Sequence, residues 1–279
     1  MKLGYSEFSY GYAFTENLIR SSATGPATAP VFPNLVQEAT LGYDVFVDLP
    51  GVPLYFQFKL PTLLTRSNAR EIQLGLTGLS LNLFRMPLML RDKSDQHKNL
   101  MALEAKFPKA VFYTSPEMET VDDFNAAYVA AIVPGHSAFF SPRAIGPLPD
   151  DKEHCVSYCQ SSAIAWRCSE PKKLRKFKLV DVMATATNEL DKRQRQPLEQ
   201  TVKRLREQLN PLLPAGLLSA EQEIRNLVEA RGGTGTERLA PDERTRAVSI
   251  DLIVAKELAR VGLGVEMLIA QPRPSPTPE

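Results

Sequence analysis

The chain has 279 residues, enough for one large domain or two small ones, and 43% of them are hydrophobic, so a sizeable core is available. Its 33 Lys and Arg against 32 Asp and Glu leave a formal charge of +1, so global charge points to no partner and any nucleic-acid surface has to be local. Three cysteines cannot pair completely within the chain and read as reduced thiols of a cytoplasmic protein; the opening MKLGYSEFSY has no apolar run for a signal peptide, and no stretch is apolar enough to span a bilayer.

In chain order, Ser6–Arg20 predicts a helix, with Ser6 as its cap and Glu7 in its first turn. Phe8, Tyr12 and Glu16 recur on one face of it. Residues 21–33 read as a loop, followed by strands over Asn34–Leu41, Tyr43–Leu49 and Pro53–Leu60, the last two joined at the turn signal Pro50-Gly51. The segment TRSNAREIQLGLTGLS carries no assignable pattern, and Phe84–Leu90 reads as a buried strand in which Pro87 marks an edge or a bulge. A helix follows over Asp95–Phe107, with Leu100, Leu103 and Phe107 at helical spacing, then a strand over Ala110–Thr114 and a helix over Val121–Ile132. Strand-like pieces fill 137–168. Beyond about residue 170 the composition turns basic and helical, with segments Val182–Leu209, Ser219–Ala230 and Glu243–Val261, and Pro197 interrupting the first. The Pro-rich end QPRPSPTPE reads as a disordered tail. The expected organisation is an α/β domain over 1–170, a basic helical region over 171–270 and a tail over 271–279.

The polar residues of YFQFKL carry the functional argument. On a strand, Gln57 and Lys59 share one face while Leu54, Phe56 and Phe58 take the other. Folding the hairpin about Pro50-Gly51 places Asp44 opposite Gln57, with Lys59 two residues further on. A carboxylate, an amide and an ammonium then converge. Asp44, Gln57 and the Phe58 carbonyl would offer hard oxygens to Mg²⁺ or Mn²⁺, and Lys59 would orient water or offset charge on phosphorus. Glu16 is the best further acid if its helix packs beside the hairpin; Asp48, Glu38 and Glu7 are weaker.

The order of helix, strand, Asp44…Gln57-Phe58-Lys59 on a hairpin, helix and strand resembles the PD-(D/E)XK, or restriction-endonuclease-like, nuclease superfamily over roughly residues 6–115, with Gln57 in place of the usual acid as in its Mrr-like QxK variant. The resemblance implies an α/β (α+β) fold with a mixed sheet flanked by helices, followed here by a helical C-terminal region. It implies a metal-dependent phosphodiesterase acting on DNA, with a role in restriction or anti-phage defence, and it matches Asp44, Gln57 and Lys59 to the motif and Glu16 to an acid that some members carry on the first helix. The alternative is a catalytically lapsed module of the same fold that binds nucleic acid or a protein partner. An ordinary hairpin with polar residues facing water is the reading without chemistry.

Two other features stand out. Between Lys172 and Arg206 lie eleven cations against four acids, a local balance of +7 that would suit phosphate contacts or an ordinary solvated helix face. That helical region is also where a protein partner or a second copy would bind. His154, Cys155, Cys159 and Cys168 are formally four zinc ligands, but Cys155 and Cys159 would sit about 13 Å apart on a strand, so buried thiols are the better expectation.

Overall fold

A computed structural model describes residues 2–21, 52–93, 95–193, 198–232 and 243–270 of the chain. Helix α1 (Glu7–Arg20) starts where the sequence predicts, since the Ser6 hydroxyl accepts from the Ser9 N–H. The elements that follow are β1 (Val52–Phe58), β2 (Thr62–Leu64), α2 (Arg70–Gln73), β3 (Leu83–Pro87), α3 (Gln96–Lys106), β4 (Val111–Pro116), α4 (Val121–Val129), β5 (Ser137–Phe140), α5 (Pro142–Ile145), β6 (Cys155–Tyr158), β7 (Ile164–Arg167) and β8 (Lys172–Arg175). After these come α6 (Leu179–Arg193), α7 (Leu198–Leu209), α8 (Ala215–Gly232), α9 (Glu243–Leu263) and β9 (Glu266–Ala270). The fold is α+β, with a mixed sheet of order β5-β4-β1-β9 and an antiparallel sheet of order β2-β3-β6-β7-β8. The predicted strands at 34–41 and 43–49, the turn at Pro50-Gly51 and the tail 271–279 lie outside the described residues.

The described residues divide into two units, one from 2–21 and 56–184, the other from 52–55 and from 185 onward. The expected boundary near 170 falls inside the first unit. The reason is β8: the basic stretch Lys172–Arg175 is a strand, paired to β7 with Ala165 opposite Leu174.

In the first unit, alternation along the strands builds a sheet buried on both faces. One face offers Phe56, Phe58, Phe112 and Phe139 to α1, where the Phe14 ring lies 5.2 Å from both Phe56 and Phe58, and Tyr10 meets Phe58 edge-on. Gly11 permits that approach, because a Cβ there would stand 3.0 Å from the Phe58 ring. The Tyr10 hydroxyl ties the helix to Ser137. Hence the helix packs through Tyr10 and Phe14. Phe8 and Tyr12, which recur with Glu16 on another face, are 59% and 44% exposed.

The opposite face carries Tyr113, Ser115 and Phe140. Phe140 packs 5.1 Å from Tyr158 of β6, which also stacks on Phe84 of β3. On α3, His97 is buried between the Tyr113 hydroxyl and the Gly146 carbonyl. A carbonyl only accepts, so Nε2 carries the proton and Nδ1 accepts from Tyr113. Burial holds this imidazole below its ordinary pKa, against the raising effect of the Gly146 bond.

The second unit is mainly helical. Leu198, Val202, Leu205 and Leu209 form the buried stripe of α7, and Val248, Leu252, Ala255, Leu258 and Ala259 that of α9. Gly262 lets α9 approach the loop and helix at Leu213 and Leu217, where a Cβ would come within 2.6 Å of Leu213. Arg206 pairs with Glu221 and Asp251, and Arg225 with the same Asp251.

Candidate functional site

The structure places Gln57 and Lys59 as the sequence alternation requires, on the face of β1 and its extension opposite α1. Neither faces bulk water: both are buried, at 7% and 8% exposure. The face that carries them is thus largely covered rather than open to water. Their backbone is held firmly. Lys59 N–H donates to the Thr114 carbonyl at 2.9 Å, and its own carbonyl accepts from Ser115 Oγ at 2.9 Å. Ser115 Oγ in turn lies 2.8 Å from the Tyr158 hydroxyl, which is also 2.7 Å from the Pro116 carbonyl.

The side chains are less provided for. Gln57 Nε2 donates to the Phe58 carbonyl at 3.2 Å, while Gln57 Oε1 is buried with no hydrogen-bond partner among the described residues. The Lys59 ammonium has no hydrogen bond or ion pair among the described residues and keeps some contact with solvent. An unpartnered buried amide oxygen costs about 1–3 kcal/mol. Gln57 Oε1 and the Phe58 carbonyl, which keeps a second lone pair, are neutral hard oxygens suited to a divalent cation. The anionic ligand such an ion needs would be Asp44, which lies outside the described residues, as do Glu38 and Asp48.

Glu16 is not brought to this pair. It sits on the Phe8/Tyr12 side of α1, ion-paired with Arg20 at 3.4 Å and accepting from Asn17 Nδ2 at 2.7 Å. The helix does pack on β1, as the choice of Glu16 required, but against the face opposite Gln57, so that packing does not bring Glu16 to the pair. Glu7 accepts from the Leu60 N–H at 3.2 Å and acts there as a backbone anchor.

The basic run is dispersed. Lys176 and Lys178 both pair with Glu117, Arg175 with Asp181, Lys192 with Glu189, and Arg206 with two acids. Residues 172–178 belong to the first unit and 192–206 to the second.

Two buried polar clusters in the first unit escaped the sequence reading. In one, Lys176 gives its three protons to Glu117 Oε1 at 2.5 Å, the Cys159 carbonyl at 2.5 Å and the Gln160 carbonyl at 3.0 Å. Burial lowers its pKa, and Glu117 works the other way. In the other, Glu71 on α2 accepts from Arg85 Nε at 2.8 Å, Arg85 Nη2 at 2.6 Å and Ser157 Oγ at 2.7 Å. Burial pushes the Glu71 carboxyl up, but the bonds from Arg85 and Ser157 prevail and hold it below the ordinary carboxylate range. Cys155 and Cys168 lie beside it, whereas His154 turns to Asp150 and Cys159 to Ser80, so the four formal zinc ligands do not assemble. Long-range register created both clusters, and no local pattern announces them.

Among the described residues no helix is long and apolar enough to cross a membrane. No family model, curated protein or solved structure matches the chain.

Proposed function

We propose that the chain is a metal-dependent nuclease acting on DNA, with Gln57 and Lys59 at its centre. The observation that carries the reading is a buried, partnerless amide oxygen on Gln57 with the largely buried Lys59 two residues away on the same strand face. The order of elements adds support: β1 with its Gln-x-Lys is followed by α3 and β4, and β4 lies next to β1 in the sheet. Between them this chain inserts β2, α2 and β3.

In this reading Asp44, Gln57 Oε1 and the Phe58 carbonyl hold Mg²⁺ or Mn²⁺, and Glu16 has no part. The bound ion would supply a Lewis acid for the phosphoryl oxygens and would acidify water. Lys59 offers three N–H donors to the phosphoryl oxygens on which negative charge develops. Ser115, itself bonded by Tyr158, holds the Lys59 backbone, so the root of the side chain is fixed before substrate arrives. The bond from Gln57 Nε2 to Phe58 fixes the amide so that Oε1 is its acceptor.

The test is cleavage of linear, circular and single-stranded DNA, with RNA alongside, in Mg²⁺, Mn²⁺ or EDTA. The expected outcome is metal-dependent cleavage of DNA that falls at least about 100-fold in Lys59→Met, the scale of losing one transition-state donor, and survives in Gln57→Glu. Folded protein that leaves every substrate intact, and whose melting neither metal raises, would replace this reading with the lapsed module.

A further inference from the structure

We propose that Cys155 and Cys168 form a redox-active dithiol, which a hydroperoxide converts to a reversible disulfide between β6 and β7. The register that pairs Val156 with Arg167 and Ser157 with Trp166 sets Cys155 directly opposite Cys168, and the Cys168 N–H donates to the Cys155 carbonyl at 3.1 Å. Hydrogen-bonded antiparallel partners stand about 5.5 Å apart at Cα, inside the roughly 4.4–6.8 Å that a disulfide spans. Directly opposed residues point to the same side of the sheet, and the two sulfurs lie within 4.8 Å of one another. Closing the bond therefore needs no change of strand register.

The surroundings divide the labour. Cys155 is only partly buried and within reach of a small oxidant, while Cys168 is 8% exposed. The neighbouring Cys168 thiol lowers the Cys155 thiol pKa, and the Arg85 charge adds to this against the opposing effect of burial. The Cys168 S–H donates to the Trp166 carbonyl at 3.3 Å, and the adjacent Cys155 sulfur and burial push the Cys168 thiol up. Cys155 is thus the attacking thiolate and Cys168 the resolving thiol.

A metal ion is the competing occupant, since Glu71 also places an oxygen within 4.8 Å of both sulfurs. The Glu71 oxygens are already taken, however: Oε1 accepts from Arg85 and Ser157, and Oε2 from Arg85. A cation would have to displace a forked guanidinium that carries its own positive charge.

In the reaction, the Cys155 thiolate attacks one peroxide oxygen and the O–O bond breaks. The other oxygen leaves with a proton as water or alcohol, and Cys155 becomes a sulfenic acid. Cys168 sulfur then attacks Cys155 sulfur, the S–O bond breaks, and the hydroxyl leaves as water with the Cys168 proton. Two thiols and one hydroperoxide give one disulfide, one alcohol or water, and one water.

The experiment uses the full reduced chain, titrated with hydrogen peroxide, alkylated and mapped by peptide mass. The expected result is a Cys155–Cys168 linked peptide that dithiothreitol reverses, with Cys155 consumed about tenfold faster than the buried Cys159. In Cys168→Ser, Cys155 should instead accumulate as a trapped sulfenic acid; if that variant does not fold, the wild-type map decides alone. The proposal is overturned if Cys155 and Cys168 both remain alkylatable at peroxide levels that consume Cys159. It is equally overturned if the purified chain holds a stoichiometric metal that thiol alkylation releases. The readout is thiol chemistry and is independent of DNA cleavage.

Discussion

Lys59 and Lys176 are both buried in the first unit, and they are treated in opposite ways. Lys176 delivers every proton to an acceptor, two of them main-chain carbonyls and one the carboxylate of Glu117. Lys59 has none among the described residues, although the peptide groups on either side of it are tightly bonded. A buried ammonium with a full set of acceptors is a structural device. Lys59, on a rigid strand beside an amide oxygen that is buried without a partner, has no protein acceptor for its head group among the described residues. The difference teaches that burial alone does not separate a structural lysine from a functional one; the accounting of its donors does.

That contrast can be broken by matched substitutions. Lys59→Met should abolish cleavage at the level given above while leaving the melting temperature near wild type or raising it. Lys176→Met should do the reverse, lowering stability by about 3 kcal/mol because Glu117 and two buried carbonyls lose their donor, which a denaturant titration reads. Gly11→Val probes the support of β1 from its other face; it should cost about 1–3 kcal/mol through overpacking against Phe58 and reduce cleavage only as far as it unfolds the protein.

The smallest effects concern pH. The folded pKa of His97 is lowered, so the unfolded state binds the extra proton. Its contribution to stability is present above about pH 6.5 and declines as pH falls from there toward the lower folded value. His97→Gln should flatten melting temperature against pH in that window. Glu71 is also lowered, so its contribution is present above about pH 4.3 and is lost as pH falls toward its folded value. Glu71→Gln should flatten only that more acidic limb.

The capped start of α1, the Leu100/Leu103/Phe107 stripe of α3 and the alternation of Gln57 with Phe56 and Phe58 were legible because each is fixed within a few residues. The buried side of α1 was not. Phe8/Tyr12 and Tyr10/Phe14 have the same spacing, and the choice between them depends on Gly11 making room for the Phe58 ring of a strand more than forty residues away. The Cys155–Cys168 pair needed only the turn position between β6 and β7, but without a register the strand-like pieces paired with nothing. Pro87, expected to mark an edge or a bulge, closes β3 beyond the reach of β2, whose pairing stops at Arg85, so among these strands only β6 flanks it there, with Cys155 opposite.

β8 stands at the end of its sheet, and Lys172, Lys173 and Arg175 are its exposed residues, with Leu174 turned to the core. Strand ends of sheets are templates on which another chain can add its own backbone, and crowded positive charge repels a like-charged copy attempting it. The stretch that looked most like a footprint for phosphate thus also places on this edge the charge that disfavours pairing with a second copy. Replacing those cations to probe nucleic-acid affinity would remove that insulation too, and weaker binding by such a variant would need to be separated from its aggregation.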